Sequence, residues 1–246
     1  MDGAPRSDPR LTLSPISCPH VDIIHATGIE GARNARGTVV VIDVLRSFTV
    51  SAYALAGGAR ECVLVPTVTE ARALASSLHD AVLCAEEDAL PVKGIDISNS
   101  PTQIRAAPLE GRVLIQRSTA GVPVAAAVPE SLDMFAASLV VARATVQACL
   151  LRRPAVLTLI ASADYPEDHA CAMYMEGIIR DHLPDLEQLL KPLRDSDRYR
   201  RVMSGAWPGF PPSDIELSLA PDRFDFAMPV TRRDGQLRLT PEFVQP

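Results

Sequence analysis

Four acidic residues stand where apolar runs of this sequence end. Asp43 closes the run Val39 to Ile42, and Arg46, Ser47 and Thr49 follow at once. Glu86, with Glu87 and Asp88, ends the run Ala81 to Ala85, and Glu167 and Asp168 come shortly after Ala155 to Ala161. Two further stretches carry amide, hydroxyl or guanidinium groups, at Asn99-Ser100 and at Arg117-Ser118-Thr119-Ala120-Gly121. Carboxylates are hard oxygen donors that suit Mg²⁺, which takes one or two of them and completes its octahedron with water and phosphate oxygens. Arginine and the free N–H groups of helix starts suit an anion. Each group also has a plainer role. Asp43 can cap the helix after it, Asn99 and Ser100 can cap theirs, and acids in a first helical turn complement the helix dipole. Together, at successive strand ends, they point to metal-assisted work on a small phosphorylated acid.

The elements that must position these groups alternate. Val39 to Ile42 is β-branched and unbroken, the pattern of a strand buried on both faces. A helix of small residues follows it and stops at Gly57-Gly58. Glu61 to Pro66 predicts a second strand, and Thr67 with Glu70 forms a capping-box spacing for a helix to about Leu78. Ala81 to Ala85 predicts a strand. Ser100, Pro101 and Gln103 then signal a helix start. Arg112 to Gln116 predicts a strand before a short Ala/Val helix. A brief strand within Ser131 to Ala137 precedes a helix over Leu139 to Leu151. Ala155 to Ala161 predicts another strand, and Glu167 to about His182 a helix. Strand and helix in alternation predict parallel pairing with right-handed crossovers, an open α/β sheet whose strand ends share one binding edge. Residues 183–220 are polar and proline-rich without a clear pattern. Asp222 to Thr240 reads as two strands around Asp234-Gly235, a hairpin expected to pack on the sheet edge. Residues 1–20 read as a loose lead-in, Val21 to His25 as a short edge strand, and 21–246 as a single domain.

Composition narrows the function classes. A net charge of −6 argues against a nucleic-acid surface. Lysine occurs only at Lys93 and Lys191, so nearly all positive charge is arginine, the better two-pronged anion binder. The five cysteines form no CxxC pair, and four lie in apolar elements, the usage of reduced thiols in a cytoplasmic protein. No run reaches transmembrane length, so no membrane partner is expected. Covering the site and joining a partner are the alternative uses of the hairpin, and a homodimer is compatible with the pattern.

Several stretches resemble the 2-phosphosulfolactate phosphatase family of coenzyme M biosynthesis: VVVIDVLRSFTVSAYALAGGA, GIDISNSPTQI, GRVLIQRSTAG, EDHACA and the closing DRFDFAMPVTRRDG. The resemblance implies a three-layer α/β/α fold with a largely parallel, mixed sheet, a divalent metal, and a substrate bearing phosphate and sulfonate. It implies metal or catalytic roles for Asp43 and Glu86, with Glu167 and Asp168 beside them as metal ligands and Asp168 in catalysis. It implies anion contacts at Arg46, Ser47, Asn99, Ser100, Ser118, Thr119 and Gly121. Where the family commonly shows Thr-Asn-Gly-Thr-Arg, this chain has Thr119-Ala120-Gly121-Val122-Pro123. Arg117 is the candidate for the missing positive charge. Position 45 is Leu, so the Asp-x-Asp pair of haloacid dehalogenase-type phosphatases is absent. Asp43 is therefore read as a metal ligand rather than a covalent nucleophile. The expected reaction is Mg²⁺-dependent hydrolysis of 2-phosphosulfolactate. The alternatives are another small phosphorylated hydroxy acid as substrate, or a non-catalytic anion-binding protein on the same scaffold.

Overall fold

The computed structural model describes residues 21–95 and 97–244. The predicted lead-in and Cys18 lie outside the described residues. The chain opens with strand β1 (Asp22–Thr27), helix α1 (Gly28–Arg33), β2 (Thr38–Ile42) and α2 (Ser47–Ala56). It continues through β3 (Glu61–Leu64), α3 (Val68–Ser77), β4 (Ala81–Glu87), the short β5 (Leu90–Pro91) and α4 (Pro101–Ala106). Next come β6 (Val113–Arg117), α5 (Gly121–Ala127), β7 (Met134–Ala137), α6 (Ala142–Leu151), β8 (Val156–Ala161) and α7 (Pro166–Ile179). Residues 183–220, unpatterned in the sequence, hold α8 (Leu186–Arg194), α9 (Asp197–Met203) and α10 (Ser213–Ser218). The strands β9 (Phe226–Arg233), β10 (Gln236–Leu239) and the short β11 (Glu242–Phe243) complete the described chain.

One mixed sheet holds these strands in the order β1-β8-β2-β7-β9-β10-β3-β6-β4-β5, with β11 on β9. Its two halves, β1-β8-β2-β7 and β3-β6-β4, are each parallel. The β9–β10 hairpin joins them by antiparallel pairing, Phe135 opposite Pro229 on one side and Leu237 opposite Leu64 on the other. The expectation that this hairpin packs at the sheet edge is therefore corrected: it occupies the centre. The alternation of Leu237 and Leu239, both buried, gives it a core face as well as two pairing edges.

Strand β2 is buried along its length, as its unbroken apolar run requires. Val39 and Val41 face one core with α1, α2 and α5, while Val40 and Ile42 face another with α6, α7 and α8. Helix α3 covers the second face of the other half through Val63, Val113 and Ile115. The result is three layers, α/β/α. Thr67 caps α3 and Ser100 caps α4 through N–H bonds from Glu70 and Gln103, as their spacings predict.

Helix α2 differs from an ordinary surface helix, because Ser47 to Leu55 are all buried. The sheet wraps around it. Strands β2 and β6 lie five positions apart, about 24 Å in a flat sheet at 4.8 Å per strand. Yet Ser47 Oγ, after β2, donates to Ser118 Oγ, after β6, at 3.0 Å. Curling brings strand ends from both halves to one place.

Candidate active site

At that place lies a cavity of about 310 Å³ lined by Asp43, Leu45, Arg46, Glu86, Asp88, Ala89, Asn99, Ser118, Thr119, Ala120, Tyr165, Arg198, Trp207 and Phe210. Asp43 is 4% exposed. Its Oδ1 accepts from Ser47 N at 3.0 Å, the cap-like contact foreseen, and its Oδ2 accepts from Gly121 N at 2.9 Å. Gly121 is required here, since a Cβ at this position would stand 2.7 Å from Asp43 Oδ2. Burial pushes the Asp43 carboxyl up to about 6, and the charge of Glu86 adds to the rise against the two N–H bonds.

Glu86 is the next-to-last residue of β4 and is held by the loop after β6. Its Oε1 accepts from Thr119 N, and its Oε2 accepts from Thr119 Oγ1 at 3.0 Å and from Ala89 N at 2.6 Å. Arg117 does not line the cavity. Its guanidinium donates to the Glu86 carbonyl and to Thr119 Oγ1, so it braces the loop that fixes Glu86. Ser118 lines the cavity between Ser47 and Val122 N. Behind it, Gln116 is buried and donates to the carbonyl of Ser47 and to Asn99 Oδ1, both at 2.8 Å, tying three cavity segments together. Asn99 holds a left-handed backbone, φ 45°, at the turn into α4.

Arg46 is 3% exposed and crosses to the far end of the chain. It donates to Asp214 Oδ2 at 3.0 Å and to the Gly209 carbonyl at 2.6 Å, and lies 3.8 Å above the Phe210 ring. Burial lowers its proton affinity and Asp214 opposes that. Asp214 also accepts from Ser100 Oγ at 2.7 Å and Thr102 N at 3.0 Å, so Ser100 faces Asp214 rather than the cavity.

Glu167 and Asp168 open α7 next to this cavity without lining it. Asp168 Oδ1 accepts from Val44 N at 2.8 Å, and its Oδ2 accepts from Ser162 Oγ at 2.7 Å. It thus fixes the loop after β2 to the loop after β8. Burial, with the charges of Asp43 and Glu167, raises its carboxyl well above the usual carboxylate range. Glu167 Oε1 pairs with Arg198, while its Oε2 is buried without a hydrogen bond. Arg198 also donates to the Leu45 carbonyl at 3.0 Å and lies 4.3 Å from the centroid of the Tyr165 ring. Among the described residues, no group of three or more His, Cys, Asp or Glu is arranged to hold a metal on its own. No helix among them is long and apolar enough to cross a membrane.

Sequence reasoning missed Tyr165, Arg198, Trp207, Phe210 and Asp214. The available signal was rarity: aromatics are 4% of the chain, and the single tryptophan lies in Trp207-Pro208-Gly209-Phe210-Pro211-Pro212. Aromatic residues in a Pro/Gly loop are of the kind that builds binding walls.

A family model described as 2-phosphosulpholactate phosphatase matches residues 24–203. The chain belongs to that family. Within it, a "Probable 2-phosphosulfolactate phosphatase" of Bacillus subtilis (strain 168) is 32% identical over 202 residues, 80% of this chain and 88% of the relative. Proteins of the same printed name from Carboxydothermus hydrogenoformans and Clostridium acetobutylicum are 31% identical over 62% of this chain and 65% of the relative, and 29% over 67% and 72%. The family match takes in Asp43, Glu86, the Ser118–Gly121 loop, Asp168 and Arg198. It stops before Trp207 and Phe210, which complete the cavity wall in this 2-phosphosulpholactate phosphatase family member, and before Asp214, which holds Arg46 from behind it.

Proposed function

We propose that this protein hydrolyses the phosphate monoester of 2-phosphosulfolactate to sulfolactate and phosphate, with Mg²⁺ as its cofactor. The observation that carries the proposal is one cavity holding the Asp43 and Glu86 carboxylates together with the Arg46 and Arg198 guanidiniums. Both guanidiniums already face carboxylates, Asp214 and Glu167. The cavity's uncompensated charge is therefore negative and would repel a phosphorylated acid. A divalent cation reverses that sign, and the donor set fits one. Asp43 and Glu86 would hold Mg²⁺, with water and a phosphate oxygen completing its shell. Bound there, such an ion would supply Lewis-acid polarisation of a phosphoryl group and a more acidic water.

The chain's own groups then have distinct tasks. Asp43 is oriented by the N–H groups of Ser47 and Gly121, and Glu86 by Thr119 and Ala89. Arg46 and Arg198 offer guanidinium to the substrate's anionic oxygens. Asp168 fixes the loop carrying Val44, and its raised proton affinity lets it sit near Asp43 without adding a full negative charge. Phe210 and Trp207 add an aromatic part to the cavity wall.

Phosphate release from racemic 2-phosphosulfolactate, with Mg²⁺ and with EDTA, tests the proposal on the parent chain and on Asp43→Asn. Release that requires Mg²⁺ and disappears in the variant supports it. The altered loop favours one second reading. Pro123 stands in α5 where the family commonly has arginine, so α5 contributes no cation to the cavity. Another small phosphorylated hydroxy acid is then the substrate, and release from a panel of such esters, but not from 2-phosphosulfolactate, would select it. Buried cysteines at 62, 84, 149 and 171 support a reducing, cytoplasmic setting.

A further inference from the structure

Trp207 is the only tryptophan of the chain, and its side chain forms part of the cavity wall. Its indole ring is fixed on two sides, by Phe210 at 5.7 Å between centroids and by the Arg201 guanidinium at 4.3 Å. The segment carrying it is fixed too. Arg46 donates to the Gly209 carbonyl, and Gly209 holds a left-handed backbone, φ 67°, packed where a Cβ would meet Pro91 at 2.5 Å and Ser98 Oγ at 2.7 Å. Within this constrained wall the indole Nε1–H is buried and has no hydrogen-bond partner. Buried donors are nearly always paired, and one left open beside a cavity is a donor awaiting an acceptor.

The acceptor's chemistry follows from what else lines the cavity. Asp43 and Glu86 are acids that would hold the cation, so the phosphate would belong near them. Trp207 comes from a different segment, beside Phe210, whose ring carries the Arg46 guanidinium at 3.8 Å. An N–H donor and a guanidinium suit an oxyanion that is not the phosphate: a carboxylate or sulfonate oxygen on the same substrate. We infer that Trp207 is a specificity-determining residue, its indole N–H donating to the second acid group of the substrate. The inference rests on the phosphatase reading. It places the discriminating contact beyond residue 203, where the family match ends.

A sole tryptophan reports on itself. In Mg²⁺, racemic sulfolactate, which has the acid groups and no phosphate, is expected to change the tryptophan emission of the parent protein saturably. Inorganic phosphate is expected to leave that emission unchanged. By calorimetry, Trp207→Phe keeps a ring and loses the N–H. It is expected to bind sulfolactate about tenfold more weakly than the parent and inorganic phosphate equally well, the size of one hydrogen bond to a charged group. Equal phosphate binding also shows that the variant is folded. Equal affinity of variant and parent for sulfolactate overturns the inference, as does a parent that binds phosphate but not sulfolactate. In turnover, Trp207→Phe is expected to raise KM about tenfold more for phosphomonoesters bearing a second acid group than for glycerol phosphate. A parent that releases phosphate from no ester overturns the activity reading instead, and the calorimetric comparison still decides the Trp207 contact.

Discussion

Gly121 donates its backbone N–H to Asp43 Oδ2 at 2.9 Å across a sheet in which their strands are five positions apart. The contact exists because glycine leaves room for the carboxylate. Gly121→Ala would put a methyl 2.7 Å from Oδ2, and the carboxylate would have to turn away. A displacement of this order at a reacting group costs about a hundredfold. The variant is expected to lose at least that much kcat/KM while unfolding within a few degrees of the parent, read by kinetics beside a thermal melt.

Asp43 also gives the protein a signature in pH. Without a bound cation, burial raises its carboxyl from 3.8 to about 6. The raised value means that the folded protein keeps this proton longer than the unfolded chain. Stability contributed below pH 3.8 is therefore lost as pH rises through about 6. Asp43→Asn lacks that loss. In EDTA the melting temperature of the variant is expected to gain on the parent between about pH 4 and pH 7. A constant gap would contradict the buried, proton-holding carboxyl. In turnover, the acid limb of kcat/KM is expected near pH 6 at low Mg²⁺ and at lower pH as Mg²⁺ rises, because metal and proton compete for one oxygen.

The Arg46–Asp214 pair is buried on both sides, with side-chain exposures of 2% and 0%. Removing one partner of such a pair leaves an uncompensated charge and costs about 3–5 kcal/mol. Asp214→Ala is expected to destabilise by that amount in denaturant unfolding, and to lower activity because Arg46 and the cap of α4 both lose a partner. A loss below about 1 kcal/mol would mean that water reaches Arg46.

Thr119 holds Glu86 with its N–H and its hydroxyl, and Arg117 braces Thr119 in turn. Thr119→Val keeps the shape and the N–H while deleting the hydroxyl. It is expected to raise the Mg²⁺ concentration for half-maximal activity about tenfold, the range seen for groups that orient metal ligands. Arg117→Ala is expected to act in the same direction. If Arg117→Ala instead raised only KM for substrate at saturating Mg²⁺, Arg117 would be reaching the substrate.

The parts of this site legible in the sequence are those that strands deliver locally. Asp43 follows an unbroken β-branched run, and Glu86 ends another, so their placement at strand ends needed no knowledge of distant residues. Arg46 was visible as a cation beside Asp43, but its partner Asp214 is 168 residues away, and nothing in local spacing encodes such a pairing. The same holds for Glu167. Its position in a first helical turn was plain, while its engagement by Arg198 depends on how α9 docks. Arg117 looked like a substrate cation from its loop, whereas its side chain folds back onto the Glu86 carbonyl. The hairpin at Asp234-Gly235 was marked by its turn chemistry, which specifies how β9 meets β10 and says nothing of the strands on their outer edges. Leu237 and Leu239 pair with β3 because both outer edges of the hairpin were left open for strands made far earlier.

That central hairpin sets a schedule for the molecule's assembly. Strand β3 waits for a partner about 170 residues downstream, and β7 for one about 90 downstream, loops whose closure is slow to nucleate. Until β9 and β10 have been synthesised, β7 and β3 each present an unpaired inner edge of the kind that recruits other chains. The nascent polypeptide is thus exposed to mispairing from the completion of β3 until β10 is made, about 170 residues later. The candidate cavity needs strand ends from both halves, which are joined only once β9 and β10 lie between them.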